Sequence, residues 1–208
     1  IALLIAGRPY DITRVSEIAD AVLTAWYPGE EGGRALSDIL TGKVNPSGKL
    51  SISVPYAPTC LPAYYNRITS AQSSVSDDWV VNTYGDNNKR VLYPFGYGLS
   101  YSDFEYVSME ATEKGACLFE VKAVIRNVSD IGGKEAVQLY IHGKGNSIRR
   151  RVKELKSFKK IYIAPHSEQT VTFTLGYDEL RIFSCNNRYE LENGKVEIYI
   201  GSGDNLPL

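Results

Sequence analysis

The sequence predicts a mixed fold in two parts, the end of a three-layer α/β sandwich with an open sheet, followed by an all-β sandwich. Three observations predict it. The chain opens on IALLIAG, a continuous apolar run of the kind found in strands that are covered on both faces. An amphipathic helix is indicated over residues 33–41, and residues 104–208 alternate between apolar and polar side chains with the period of a strand.

The first part continues from a strand into a helix. Gly7 and Pro9 end the opening strand, and Asp11 or Thr13 is available to cap the helix that follows. The apolar residues at helical spacing are Val15, Ile18, Ala19 and Val22. The stretch AVLTAW either extends this helix or forms a second buried strand, and periodicity leaves both readings open. Pro28 and Gly29 end whichever element forms.

A second helix and a final strand complete the first part. Gly42 suits the left-handed end of the helix at 33–41, and Gly48 is expected to supply a positive φ in the turn NPSG. LSISVP, residues 50–55, is predicted to be the last strand. The apolar face of the helix consists of Ala35, Leu36, Ile39 and Leu40.

The second part is predicted to be a β-sandwich of six or seven short strands separated by turn residues. In each strand one apolar face points inward and one polar face points outward. The inward-facing sets are Phe119, Val121, Ala123 and Ile125; Val137, Leu139 and Ile141; Val171, Phe173 and Leu175; and Val196, Ile198 and Ile200.

The two parts are joined by an aromatic segment. LYPFGYGLSYSDFEY, residues 92–106, contains Pro94, Gly96 and Gly98, which exclude a helix, while its aromatic rings can bury much area without regular structure. We therefore predict a linker pressed onto both parts rather than a free tether. The expected division is 1–58 for the α/β part, 59–103 for the linker and 104–208 for the sandwich.

The bulk composition excludes several function classes. A net charge of −1 gives no reason to expect nucleic acid or an anionic membrane as a partner, and no apolar run approaches the ~18 residues that span a bilayer. Cys60, Cys117 and Cys185 are too widely spaced for a zinc site or a disulfide scaffold. No metal or cofactor is expected, and free cysteines favour the cytoplasm over a secreted location.

Three ordered motifs carry a resemblance to a known family. AWYPGEEGGRALSDILTGKVNPSGKLSISVP, residues 25–55, resembles the C-terminal α/β-sandwich domain of glycoside hydrolase family 3, which includes β-glucosidases and β-xylosidases. Residues 92–106 resemble the join to the family's fibronectin type III-like (Ig-like) domain. KEAVQLYI and KELKSFKKIYIAPHSEQTVTFTL resemble strands of that domain. The resemblance covers essentially the whole chain, in the family's order.

The resemblance implies a larger enzyme. In the family a barrel carries the nucleophilic aspartate, and a loop before the strand IALLIAG carries the acid/base glutamate, so neither catalytic residue is expected in this chain. Because Ile1 has no Met or polar lead-in, we expect polypeptide upstream of it. The implied enzyme hydrolyses terminal β-D-glucosyl or β-D-xylosyl residues with retention, and this chain alone is expected to be inactive. The expected partners are the missing N-terminal barrel and sandwich portion and a β-glucoside or oligosaccharide.

Glu30 and Glu31 raise the question of chemistry within the chain. A retaining glycosidase needs two carboxyl groups about 5 Å apart on opposite sides of one sugar, and adjacent residues on one loop cannot flank a ring in that way. A carboxylate at the start of the next helix instead meets its free N–H groups and positive end, worth ~0.3–1 kcal/mol. Glu30, Glu31 and Arg34 are the candidates for facing the missing barrel, and Trp79 is the candidate for an exposed position near the substrate. Trp26 and Tyr27, next to a strand, are expected to be buried.

Two alternatives accompany this reading. A fibronectin-like sandwich is also compatible with a non-catalytic carbohydrate-binding or scaffolding module, since a fold does not determine a function. If half of the α/β sheet is absent, the strand IALLIAG has an unpaired edge and an exposed apolar face. Either a partner chain then supplies the rest, for instance a separate piece of the same enzyme, or the chain dimerises, or roughly the first 55 residues fold poorly.

Overall fold

The computed structural model describes residues 1–68, 91–145, 147–203 and 206. Strands β1 and β2 lie parallel, with Leu3 opposite Leu23, and a helix connects them, which makes the α/β unit that the sequence predicts. The elements of this part are β1 (Ala2–Leu4), α1 (Thr13–Ile18), β2 (Val22–Thr24), α2 (Gly32–Leu40), β3 (Val54–Pro55) and a 3₁₀ turn (Pro58–Cys60).

The linker contacts both parts of the chain. Strand β4 (Val91–Tyr93) pairs antiparallel with β3. The backbone N–H of Gly96 donates to the Leu50 carbonyl at 2.7 Å, and the Gly96 carbonyl accepts from the Gln138 amide at 3.2 Å and from the Ser202 hydroxyl at 3.0 Å. Gly96 has φ +81°, and a Cβ there would lie 2.3 Å from Oε1 of Gln138, so only glycine fits this junction.

The second part is a sandwich of two three-stranded antiparallel sheets. One sheet has the order β5-β6-β9 and the other β12-β7-β8, while β10 and β11 form a separate hairpin. The elements are β5 (Phe104–Gly115), β6 (Leu118–Asn127), β7 (Gly133–Lys144), β8 (Glu154–Ile163), β9 (Glu168–Leu175), α3 (Tyr177–Leu180), β10 (Ile182–Phe183), β11 (Tyr189–Glu190) and β12 (Lys195–Gly201).

The alternating pattern correctly identified the sandwich core. The residues that pack together and are buried are Val121, Ala123, Ile125, Val137, Leu139, Ile141, Ile163, Val171, Phe173, Leu175 and Ile200. Val196 is an exception and is exposed at the start of β12. Strand β7 departs from the simple alternation because Gln138 and Tyr140, on its other face, are also buried. The ring of Tyr65 covers that face, 6.2 Å from Tyr140 and stacked on Phe95 at 4.1 Å.

Several local predictions need correction. AVLTAW is resolved as a strand, because Val22–Thr24 pairs with β1. LSISVP forms a strand only at Val54–Pro55. Gly42 has the expected left-handed φ of +76°, but the φ of Gly48 is not in that region. The carbonyl oxygen of Gly48 instead packs closely against Gly98, where an added Cβ would come within 2.2 Å of it. The backbone of the NPSG turn is therefore shaped by close packing against the linker.

The opening strand is less covered than its apolar sequence predicts. Leu3 in β1 and Ile5 just after it are exposed, as is Ile18 at the end of α1. Among residues 1–68, the buried apolar side chains are Ile12, Val54, Pro55 and Cys60. Helices in the described part of the chain are too short to cross a lipid bilayer as apolar spans.

Candidate functional site

The carboxyl ends of β1 and β2 bring two loops together. The ladder extends one step beyond β2, where Ala25 N–H donates to the Leu4 carbonyl at 2.8 Å. The loop after β1 then carries GRPY, residues 7–10, and the loop after β2 carries WYPGEEGG, residues 26–33. In open α/β sheets this end of the strands is where ligands bind.

Two glycines fix how these loops pack. A Cβ at Gly7 would lie 2.4 Å from Cε2 of Tyr27, and a Cβ at Gly32 would lie 2.6 Å from Cγ of Pro28. The ring of Tyr27 therefore rests directly against the backbone at Gly7, and the Pro28 ring rests against the first turn of α2. A side chain at Gly32 would collide with the Pro28 ring, and one at Gly7 would displace the exposed ring of Tyr27.

Trp26 holds an unusual backbone conformation between the two loops. Its φ is +54°, a region that a bulky residue rarely occupies, at a cost of about 1–2 kcal/mol. The strained residue comes directly after the last rung of the β1–β2 ladder. Strain of this kind concentrates at functional positions and tight turns, and this one re-aims the chain so that Tyr27 reaches Gly7.

A cavity of about 460 Å³ lies at this end of the sheet. Its volume falls in the range of about 300–1,000 Å³ that is typical of small-molecule sites. Strand β1 supplies apolar lining, and the two loops supply Arg8, Tyr10, Trp26 and Tyr27. The Arg8 guanidinium lies 5.2 Å from the centroid of the Tyr10 ring. Tyr27 is 80% exposed, so the expectation that this ring is buried is wrong.

Glu30 and Glu31 lie on the loop after β2, and Arg34 directly follows it. All three are exposed, and none is among the described residues that line the cavity. Glu31 is the N-cap residue of α2, and its backbone carbonyl accepts from Ala35 N–H at 3.0 Å. Its carboxylate makes no capping hydrogen bond, so the expected direct contact with the free N–H groups is wrong. The other candidate, Trp79, lies outside the described residues.

The contact between the α/β part and the sandwich includes a buried ion pair that sequence reasoning missed. The Lys49 ammonium lies 3.1 Å from the Glu135 carboxylate, with side chains only 12% and 4% exposed. Lys49 also donates to the Gly98 carbonyl at 2.7 Å, and the Tyr106 hydroxyl donates to Glu135 at 3.0 Å. Burial, together with the Glu135 carboxylate, raises the pKa of the Tyr106 phenol.

Asn45 forms a second part of the same contact. Its Nδ2 donates to Ser102 Oγ at 2.7 Å and to the Gly132 carbonyl at 3.1 Å, and its Oδ1 accepts from Ser100 Oγ and Tyr101 N–H, both at 2.8 Å. The motif NPSGKL therefore holds the sandwich against the α/β part. Asn45 and Lys49 in that motif and Glu135 in KEAVQLYI were visible as sequence signals, but their pairing depends on tertiary contacts.

In the described residues, no group of three or more His, Cys, Asp or Glu side chains could hold a metal ion. His142 and His166 are separate: His142 Nδ1 lies 2.8 Å from the Arg151 carbonyl, and His166 pairs with Asp130 at 2.7 Å. The polar groups at the β1–β2 end can bind and orient a ligand. They do not include two carboxyl groups facing each other across a sugar.

Comparison with known proteins matches both parts of the chain. The family model for the glycosyl hydrolase family 3 C-terminal domain matches residues 1–101, and the model for a fibronectin type III-like domain matches residues 135–203. The chain is 34% identical to a periplasmic beta-glucosidase of Salmonella typhimurium, over 97% of this chain and 27% of that protein. It is 33% identical to a beta-xylosidase of Formosa agariphila, over 97% of this chain and 28% of that protein.

A solved structure superposes on nearly the whole chain. A mutant beta-glucosidase from Listeria innocua, in complex with laminaribiose, superposes with a TM-score of 0.88 at 35% sequence identity. The match covers 98% of this chain and 29% of that chain. The chain therefore spans less than a third of the length of the relatives that it matches.

Proposed function

Because the chain belongs to glycoside hydrolase family 3, of which it forms the C-terminal portion, we propose that it braces the active site of a retaining exo-acting β-glycosidase. The proposed substrates are oligosaccharides or glycosides with a terminal β-D-glucosyl or β-D-xylosyl residue. The named relatives support this substrate class, since they include beta-glucosidases and a beta-xylosidase. The attacking and protonating carboxyl groups lie on the N-terminal portion, which completes the pocket.

The observation that carries the proposal is the uncovered α/β part. Two parallel strands of three residues each form its sheet, and Leu3, Ile5 and Ile18 are exposed around it. Exposed apolar side chains on such an open sheet mark a surface that another segment covers. A long N-terminal portion is supported because the chain covers only 27% of the Salmonella protein and residues 1–101 match the model of a C-terminal domain. That portion is the proposed occupant, and a homodimer is the competing one.

Glu30, Glu31 and Arg34 are proposed to face the barrel of the N-terminal portion. They are exposed, and they follow the carboxyl end of β2, where α/β sheets receive ligands and partner loops. Trp79 is proposed to lie near the substrate entrance. The division of the chain into 1–58, 59–103 and 104–208 belongs to the same proposal, because it separates the barrel-facing part from the sandwich that supports it.

The function is tested by comparing the chain with and without the N-terminal portion. The chain alone is expected to release no nitrophenol from nitrophenyl β-glucoside or β-xyloside, because its described part holds no opposed carboxylate pair. The full-length enzyme is expected to turn over at least one of them. Turnover by the isolated chain would contradict the placement of the catalytic groups. Inactivity of the folded full-length protein would contradict the proposed reaction.

The occupant of the open surface is tested separately by sedimentation of the chain alone and with the N-terminal portion. Ile18→Asp is expected to weaken association with the N-terminal portion, because it puts a charge into an apolar contact. A matched change, Leu118→Asp at the end of β6 that pairs with Gly115, where Leu118 is also exposed, is expected to leave association unchanged. A stable homodimer of the chain that persists in the full-length enzyme would overturn this assignment.

A further inference from the structure

We propose that the loop between β7 and β8 carries a binding site for a phosphate group, which Arg149 and Arg150 contact. Binding there goes beyond the proposed function, because it requires no glycosidase activity. It also gives a role to SIRRRVKELK, residues 147–156, a basic run that the bracing of an active site leaves unexplained.

The site is a cavity of about 290 Å³ at the end of β7 and the loop that follows it. Three of its described lining residues, His142, Arg149 and Arg150, have basic side chains, and none of the described lining residues is acidic. A cleft lined by groups of one charge sign raises the local concentration of ions of the opposite sign. The lining therefore favours an anion.

Arg150 has more hydrogen-bond donors than the described residues use. Its side chain is only 8% exposed, and its Nη2 donates to the Glu154 carboxylate at 2.8 Å. Its Nε is buried and has no hydrogen-bond partner in the described part of the chain. Buried polar groups normally have a partner, and a guanidinium carries five N–H donors. Because Arg150 forms part of the cavity wall, an anion in the cavity can accept from these unused donors.

The positive charge at this cavity exceeds the negative charge beside it. Glu154 pairs with Arg150, but it is shared with Lys156, whose ammonium lies 3.1 Å from the same carboxylate. Arg149 is exposed and makes no ion pair or hydrogen bond with the residues that the structure describes. Two arginines and a lysine thus have one carboxylate between them, which leaves charge for a second anion.

The loop is held in place by contacts that do not use these two guanidinium groups. Glu192 accepts from the Ser147 N–H at 2.8 Å and from the Ser147 hydroxyl. His142 Nδ1 donates to the Arg151 carbonyl at 2.8 Å, and the Arg151 side chain donates to the Asn66 carbonyl of the linker at 2.9 Å. Because the loop is already ordered, an anion can bind without a large loss of loop entropy.

Phosphate suits this site better than a carboxylate does. A carboxylate has two oxygens in one plane, and one carboxylate, that of Glu154, already bonds to Arg150. A phosphate has oxygens around a tetrahedral centre and a larger charge, so it can accept from Arg149 and Arg150 at the same time. Arginine is also well matched to phosphate through parallel N–H donors. Inorganic phosphate and the phosphate group of a sugar phosphate offer the same chemistry.

Binding here is expected to stabilise the folded chain, because a ligand that binds only the native state raises its stability by mass action. Sodium phosphate should raise the Tm of the full-length protein more than that of Arg149→Ala at equal ionic strength. General salt effects on hydrophobic burial act on both proteins alike, so the difference reports the site. An equal rise in both proteins would overturn the proposal.

Isothermal titration calorimetry of the full-length protein with sodium phosphate measures the affinity, at constant ionic strength because salt screens exposed charges. We expect saturable binding of one phosphate per chain. Arg149→Ala should weaken it at least about tenfold, the loss that one charge-assisted hydrogen bond represents. Arg149→Lys should recover part of that loss, since it restores the charge without the planar donor group. Arg149 is exposed, so neither change is expected to affect folding.

Arg126→Ala is the matched control, because it removes an exposed arginine from β6 in the other sheet of the sandwich. It should leave the phosphate affinity unchanged. Arg150→Met should abolish saturable binding, and if that variant does not fold, Arg149→Ala still decides. A parent protein without saturable binding would contradict the site. Equal weakening by Arg149→Ala and Arg126→Ala would also contradict it, since the attraction would then be a property of the overall charge.

Two further titrations identify the source of the phosphate group. Glucose 6-phosphate that binds more tightly than inorganic phosphate would identify a sugar phosphate as the ligand, and equal or weaker binding would identify free phosphate. Glucuronate, which carries a carboxylate on a sugar ring, is expected to bind more weakly than inorganic phosphate. Glucuronate that binds as tightly as inorganic phosphate, or more tightly, would overturn the assignment to phosphate. These measurements do not depend on glycoside hydrolysis, so they stand whether or not the proposed reaction is confirmed.

Discussion

The α/β part and the sandwich differ in whether each can close its own core. The sandwich strands β5 to β9 and β12 contain 7 to 12 residues and form two facing sheets, and eleven buried apolar residues pack between them. In the α/β part the two parallel strands have three residues each, and apolar side chains such as Ile5 and Ile18 stay exposed. A similarly apolar sequence gives a core only where the second layer is present.

The two regions depend on each other. The sandwich supplies its own opposing layer. The α/β part is instead held by contacts with the linker and the sandwich, which its own residues Asn45 and Lys49 make. Those contacts hold its C-terminal end on the sandwich and leave the β1–β2 end uncovered. The uncovered end is also where the cavity lies.

The largest effect is expected from opening the sandwich core. Phe173→Ala should lower the free energy of unfolding by about 3–5 kcal/mol, because it removes a fully buried ring and leaves a cavity. Urea unfolding, with hydrogen exchange of the β6 and β9 amides, measures it. Ile18→Ala is the matched control in the α/β part and should change stability by no more than about 0.5 kcal/mol, since Ile18 is exposed. Equal losses would mean that the two regions share one core.

A smaller effect is expected at the ion pair that joins the regions. Glu135→Ala should cost about 3 kcal/mol, because Lys49 is then left as a buried charge without its partner. The double variant Lys49→Met/Glu135→Leu should recover stability to within about 1 kcal/mol of the original, since it removes both charges. Thermal unfolding of the three proteins tests this. A double variant as unstable as Glu135→Ala would indicate that the pair contributes through packing.

The smallest effect concerns pH and is confined to the sandwich. Hydrogen bonds from Ser184, Arg188 and Asn186 lower the pKa of Glu190 to about 2. Its unfolded value is about 4.3, so this contribution is fully present above about pH 4.3 and is lost as pH falls towards about 2. Glu190→Gln should flatten the stability curve in that window. Glu110→Gln, at an exposed position on β5 without a described partner, should leave the curve unchanged.

The resemblance identified the family from three motifs, and residue periodicity identified the sandwich core. These predictions succeeded because each depends on local order in the chain. The alternation of Val137, Leu139 and Ile141 directly determines which face of β7 points inward. It did not predict that Gln138 and Tyr140 on the other face are also buried, because that burial comes from Tyr65 and Phe95, which are distant in sequence.

The candidate site shows the same division. The sequence placed Glu30, Glu31 and Arg34 on the loop after a strand, and the structure places them there. It did not identify Tyr27 as exposed, since an aromatic residue beside a strand is usually buried. In the structure its ring lies against Gly7 and follows Trp26, whose φ is positive, and neither feature is encoded by a local pattern that periodicity can detect.

By itself the sequence determined the order of the two parts, their fold class and the inward face of the sandwich strands, because those follow from side-chain period and turn residues along a continuous stretch. The tertiary structure decided that AVLTAW is a strand, that NPSGKL docks onto the sandwich through Asn45 and Lys49, and that Tyr27 is displayed at the cavity. Each of these depends on a contact between segments that are far apart in the chain. Such a contact stabilises the fold only after the backbone between the segments has been closed into a loop.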